Sequence, residues 1–117
     1  MTKEEKQLLL KDLCARLPYG VIIEIQGHYD DGERFIRESE FDNTMLNYLY
    51  DETIIKPYLR PMSSMTEEEK QFFEDIKYKA VNTHHSEIDW LNSHHFDYRG
   101  LIPMGLALEA PEGMYNN

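Results

Sequence analysis

The residues in this 117-residue chain that most invite a chemical reading are four histidines in two doublets, His84-His85 and His94-His95. Imidazole nitrogen is a common zinc ligand, and Asp89 between the doublets and Asp97 just beyond them could add carboxylate oxygens. On that reading the chain is a small metal-dependent hydrolase working through His84, His85, His94, His95 and Asp89. The spacing argues against it. Neighbouring residues on a helix point about 100° apart, so a doublet rarely gives both imidazoles to one ion. Neither HExxH nor a CxxC pair is present. His85-Ser86-Glu87 matches the opening of a zinc deaminase signature, but the second half needs paired cysteines and Cys14 stands alone. The histidines read better as caps, as surface groups or, at His95, as a hydrogen-bonded half-buried side chain. No catalytic residue, metal or cofactor is assigned.

Carboxylates form the second set. Asp30, Asp31, Glu33, Glu38 and Glu40 crowd one stretch, and residues 20 to 55 hold nine acidic and two basic side chains in a chain of formal charge −10. A metal-dependent nuclease could use such acids, yet no lysine accompanies them and the net charge repels a phosphate backbone. Direct nucleic-acid binding is not expected, for the same reason. An acidic pole steers well onto a basic protein, so these five residues are the candidate partner-binding set. Solvated charge that protects a sheet edge from aggregation is the simpler alternative. Cys14 sits among Leu10, Leu13 and Leu17 and reads as a small buried apolar group. Ser63, Ser64 and Thr66 stand at a helix start, where capping explains their hydroxyls. The glycines are isolated, so no phosphate-binding loop is present. Tyr58, Trp90, Phe96 and Tyr98, with Arg60 or Arg99, could gather either as interface anchors or as core.

Local sequence patterns set the elements that must carry these groups. Thr2 and Glu5 stand in capping-box relation, and Leu9, Leu10, Leu13, Cys14 and Leu17 recur at helical spacing until Pro18 and Gly20. Val21, Ile23, Ile25 and Tyr29 then alternate with Glu24, Gln26 and His28, the period of a half-buried strand. Asp31-Gly32 suits a two-residue hairpin turn, and the poorer alternation from Phe35 to Phe41 marks an edge strand. Residues 44–58 read as a short helix or loop leading into a third strand. Pro57 and Pro61 remove two donors around Tyr58-Leu59-Arg60, which predicts an extended edge or connector. Ser64 and Thr66 open a helix whose Met65, Phe72, Phe73, Ile76 and Ala80 face the sheet. A third helix begins at Ser86 and carries Ile88, Leu91 and His95 on one side. Asp97, Gly100, Pro103 and Gly105 break the chain into an irregular covering tail, with a frayed PEGMYNN end. The pattern predicts a single α+β domain over residues 1–117: an N-terminal helix, a small antiparallel sheet with a β-hairpin, two helices and an irregular C-terminal tail.

Two long runs in the second half, KPYLRPMSSMTEEEK and IDWLNSHHFDYRGLIPMGLALEAPEGMY, carry a resemblance. They resemble a family of small uncharacterised proteins from genomes, prophages and mobile elements of gut bacteria, in which YLRPMSSMTEEE and HHFDYRGLI recur. With the enzyme readings argued down, that membership makes a non-enzymatic accessory or interaction protein of a phage or mobile element the expected function. The lack of a secretory or bilayer-spanning segment makes the cytoplasm of the bacterial host its expected place. The resemblance transfers no activity, cofactor or site residue. No apolar run approaches the ~20 residues that cross a bilayer, and MTKEEKQ lacks the apolar region of a secretory signal, so no membrane association is expected.

Overall fold

The computed structural model describes residues 2–45, 53–79 and 84–115, with backbone alone at 77–79 and 84–86. Helix α1 (Lys3–Arg16) starts where the capping box places it: the Glu5 N–H donates to Thr2 Oγ1 at 3.0 Å, and the Thr2 N–H to Glu5 Oε1 at 2.8 Å. It ends in a tight turn over Leu17–Tyr19, and Gly20 leaves that turn at a φ of 69°. A side chain at Gly20 would be strained by that φ and would also press on the Glu40 carboxylate. The buried stripe of α1 is Leu9, Asp12, Leu13 and Arg16. This turns the helix away from the leucine-only expectation, because the Asp12–Arg16 pair lies inward with Leu9 and Leu13. Cys14, one residue round from Leu13, is exposed rather than buried.

Four strands form one mixed sheet in the order β2-β1-β3-β4: β1 (Ile22–His28), β2 (Arg34–Glu40), β3 (Ile54–Leu59) and β4 (Leu108–Glu109). The first three are antiparallel neighbours and β4 runs parallel to β3. The hairpin loop is one residue longer than a two-residue turn. The Tyr29 N–H donates to Glu33 O and the Gly32 N–H to Tyr29 O, with Gly32 at a φ of 88°, so glycine supplies the left-handed step of a three-residue loop. Strand β2 lies at the edge, as its weak alternation predicts. The proline-limited segment does not: β3 is interior, and Pro57 is almost wholly buried within it. Pro57 faces Ile23 on the last rung shared with β1, and pairing with β4 starts one residue later at Tyr58. The missing donor thus falls where the strand changes partners. Of the 44–58 stretch, the expected third strand is present, and residues 46–52 lie outside those described.

One sheet face is covered and the other is open. Leu9 and Leu13 of α1 meet Val21, Ile23, Ile25, Phe41, Ile55 and Leu59 in the main core, closed by Leu101, Leu106 and Ala107. Burying these side chains is the chief driving force for the layer, at about 25 cal/mol per Å² of apolar surface. Helix α2 (Glu67–Lys79) has the expected cap, with Thr66 and Glu69 exchanging bonds at 2.9 and 3.1 Å. Its apolar side packs on α3 (His84–Ser93) rather than on the sheet: Phe73, Leu91 and Phe96 form a second cluster with Met65, Trp90 and Tyr98 beside it. Phe72 stays half exposed against Trp90, and Ala80 lies outside the described residues. Helix α3 already includes His84, two residues before Ser86. It ends in a left-handed cap at His95, φ 62°, where the His95 N–H donates to Asn92 O and the Phe96 N–H to Leu91 O. The segment after it is held at Tyr115, whose hydroxyl bonds the backbone of β1 and β3, rather than frayed there.

Candidate functional site

An opening of about 800 Å³ lies between the start of α2, the end of β3 and the tail at 109–115. Its charged floor is built from residues of both long runs, 56–70 and 88–115. Arg60, one residue past β3, reaches Glu69 on the first turn of α2 with two parallel bonds of 2.8 and 2.7 Å, while its guanidinium lies 4.2 Å over the Phe96 ring. The Arg60 guanidinium, with the Thr66 N–H, holds the Glu69 carboxyl down at about 2. His94 leans on Trp90, ring centres 4.4 Å apart, with Nδ1 buried, unbonded and 3.8 Å from Glu69 Oε2. Burial lowers its pKa against the pull of Glu69. The hydroxyls here are committed: Ser64 Oγ donates to Pro61 O, and Thr66 Oγ1 accepts from the Glu69 N–H. The ion pair fastens the end of β3 to the first turn of α2.

The two described histidines of the doublets diverge. His94 belongs to the α2–α3 cluster, whereas His95, 5% exposed, stacks on Tyr115 with ring centres 3.8 Å apart. The side chains of His84 and His85 are not among those described. Asp89 accepts a short hydrogen bond from the Tyr19 hydroxyl, tying α3 to the turn after α1. Asp97 accepts the N–H groups of Leu101 and Ile102 at 2.8 and 3.0 Å. Among the described residues no three His, Cys, Asp or Glu side chains converge on a metal position.

Burial holds the His95 imidazole at about 4, with the neighbouring Arg16, His94 and Arg60 charges acting the same way. A histidine whose folded pKa lies below its unfolded value near 6.5 binds fewer protons when folded. Its contribution is therefore complete above pH 6.5 and is lost as the pH falls toward 4. Urea unfolding between pH 4 and 7 is expected to show that decline. His95→Asn, which tolerates the left-handed φ, should flatten most of it, and an unchanged slope would refute the assignment.

Tyr115 does more than stack. Ile22 and Tyr58 would form the next rung beyond Ile23 and Pro57, but the Tyr115 hydroxyl stands between them. It accepts from the Ile22 N–H at 2.9 Å and donates to Tyr58 O at 2.7 Å. Burial pushes its pKa up to about 12, so it keeps the donor proton. A second unforeseen cluster is the wholly buried Asp12–Arg16 pair, Nε to Oδ2 2.9 Å. Arg99 adds a bond to Asp12 at 3.1 Å, and Arg16 Nη2 donates to Phe96 O at 2.6 Å. The expected aromatic group accordingly splits. Arg60, Trp90 and Phe96 stay together, Tyr98 lies under Arg16 and Arg99, and Tyr58 turns to the open sheet face.

On that open face the structure gathers part of the acidic set. Asp30 and Asp31 sit in the hairpin loop, Asp31 accepts the Glu33 N–H, and Glu38 and Glu40 project from β2; all five nominated carboxylates are exposed. Glu24, not nominated, lies directly opposite Glu38, and the Tyr58 hydroxyl contacts both carboxylates at 3.2 and 3.0 Å. Burial and these two acids raise the Tyr58 pKa. The strand period alone put Glu24 on this face; its partner became visible only once the Tyr29–Glu33 closure fixed the register. Ile36 and Ile54, exposed by 61% and 41%, flank Gln26 on the next rung. No helix among the described residues is long and apolar enough to cross a membrane. Comparison with protein-family models, curated proteins and solved structures gives no match.

Proposed function

We propose that this is a non-enzymatic interaction protein that receives a basic protein partner on the open face of its sheet. Following the resemblance of its two runs, we take it to be an accessory protein of a phage or mobile element. One observation carries the reading: exposed Ile36 and Ile54 stand on the same face as Glu24, Glu38 and Glu40, an apolar patch with three carboxylates along one side and exposed Arg34 on the other. Lys56, opposite Glu24, offsets only part of that charge. The hydrolase alternative finds no comparable support, because His94 and His95 serve different neighbours.

The test is a pull-down from bacterial lysate at low and moderate salt, with the wild-type chain beside a variant in which Asp30, Asp31, Glu38 and Glu40 are changed to lysine. Screening weakens contacts between exposed charges. The wild type is expected to retain basic proteins that moderate salt releases and that the variant does not hold. Equal capture by both proteins would rule the acidic face out.

A further inference from the structure

We infer that the protein pairs with a second copy of itself through the free edge of β2, joining two sheets into one. This does not rest on the basic-partner reading, although Ile36 and Glu38 serve in both, because it is carried by the strand edge and the order of charges along it. Among the described residues, β2 pairs with β1 alone, over seven unbroken rungs from Ile22–Glu40 to His28–Arg34. The strand has neither the proline nor the bulge that ordinarily blunts an edge, and among the described residues its charges are what protect it. Those charges repel most strands, but they do not repel this strand turned antiparallel.

Laid antiparallel on itself about Ile36, the sequence Arg34-Phe35-Ile36-Arg37-Glu38 is its own complement. Directly opposed residues of an antiparallel pair point to the same face. Arg34 then meets Glu38 twice on the open face, with the largely exposed Ile36 of each copy meeting its twin between them. On the other face Phe35 meets Arg37, a contact the strand already makes within itself, with the Arg37 guanidinium 4.5 Å over the Phe35 ring. Neighbouring registers are worse. Sliding by one rung in one direction keeps Arg34 against Glu40 but sets Arg37 against Arg37 and Ile36 against Glu38. Sliding in the other pairs Phe35 with its twin and Glu33 with Arg37 but leaves Arg34 against Ile36 and Glu38 against Gly32. Intermediate registers turn the faces over. Of the three, only the register about Ile36 gives every residue from Arg34 to Glu38 an opposite-charge, aromatic or apolar partner.

A two-strand junction is smaller than the ~1,200 Å² of a durable interface, so the association is weak and is measured at about 100 µM by sedimentation velocity. Wild-type protein is expected to show a dimer. Arg34→Glu and Glu38→Arg should each weaken it at least tenfold, and the two together should restore it, with circular dichroism confirming that every variant is folded. In a Cys14→Ser background, Ile36→Cys should crosslink under mild oxidation, because opposed Cα atoms of an antiparallel pair lie within disulfide reach, whereas Ser39→Cys should not. A monomer at this concentration, a dimer indifferent to Arg34→Glu, or equal crosslinking at both positions would overturn the inference.

Discussion

Asp12→Ala is expected to cost about 3–5 kcal/mol of folding stability, the largest loss from any single side chain described above. Asp12 and Arg16 are both wholly buried, and Arg99 contributes a second guanidinium to the same carboxylate. Removing the acid leaves two cations facing each other with one anion fewer, and Arg16 has no route to water. Its Nη1 already lacks a hydrogen-bond partner, so the site has no spare acceptor to take over. The cost comes from stranding a charge, which a second variant can show. Asp12→Leu combined with Arg16→Met removes both charges at similar volume and should recover most of the loss. Urea denaturation followed by circular dichroism measures all three proteins. A single-variant loss below about 1 kcal/mol would mean that the cluster is solvated and that its burial contributes little.

Tyr115→Phe should cost about 1–3 kcal/mol although it removes one oxygen atom. The ring can still stack on His95, so packing is largely kept and the change isolates the hydroxyl. That hydroxyl serves two backbone groups at once, the Ile22 N–H and the Tyr58 carbonyl. Neither has the other within reach while the ring remains between them, so the phenylalanine variant leaves both unmatched. Amide exchange at Ile22 should accelerate more than at Ile23 or Ile25, which keep their strand partners. A loss under about 0.5 kcal/mol with no change in exchange would show that the two strands simply close on each other.

Where the chain follows local rules it was readable in advance. Thr2 with Glu5 and Thr66 with Glu69 start their helices, the alternation from Val21 to Tyr29 makes a strand, and Gly32 turns the hairpin. The misreadings share a cause: each depended on a contact far along the chain. Asp12 and Arg16 look like the solvent side of α1 until Arg99 and the Phe96 carbonyl are brought to them, and that rotation exposes Cys14. Pro57 argues against an interior strand unless β4 is known to join at Tyr58. The stripe of α2 does not say whether it meets a sheet or another helix, and Trp90 and Phe96 decide it. The same holds for the candidate site. The hairpin carboxylates were legible from composition, whereas Glu24, Ile36 and Ile54 joined them through cross-strand register, which no local pattern encodes.

The Tyr115 bridge also bears on time. Its partners Ile22 and Tyr58 lie 93 and 57 residues away along the chain, so the bridge closes large loops and forms only after β1, β3 and the His95 cap have found their places. An interaction absent from the folding transition state leaves the folding rate nearly unchanged when it is lost and speeds unfolding instead. Tyr115 is thus expected to govern the lifetime of the native state rather than the rate at which it is reached.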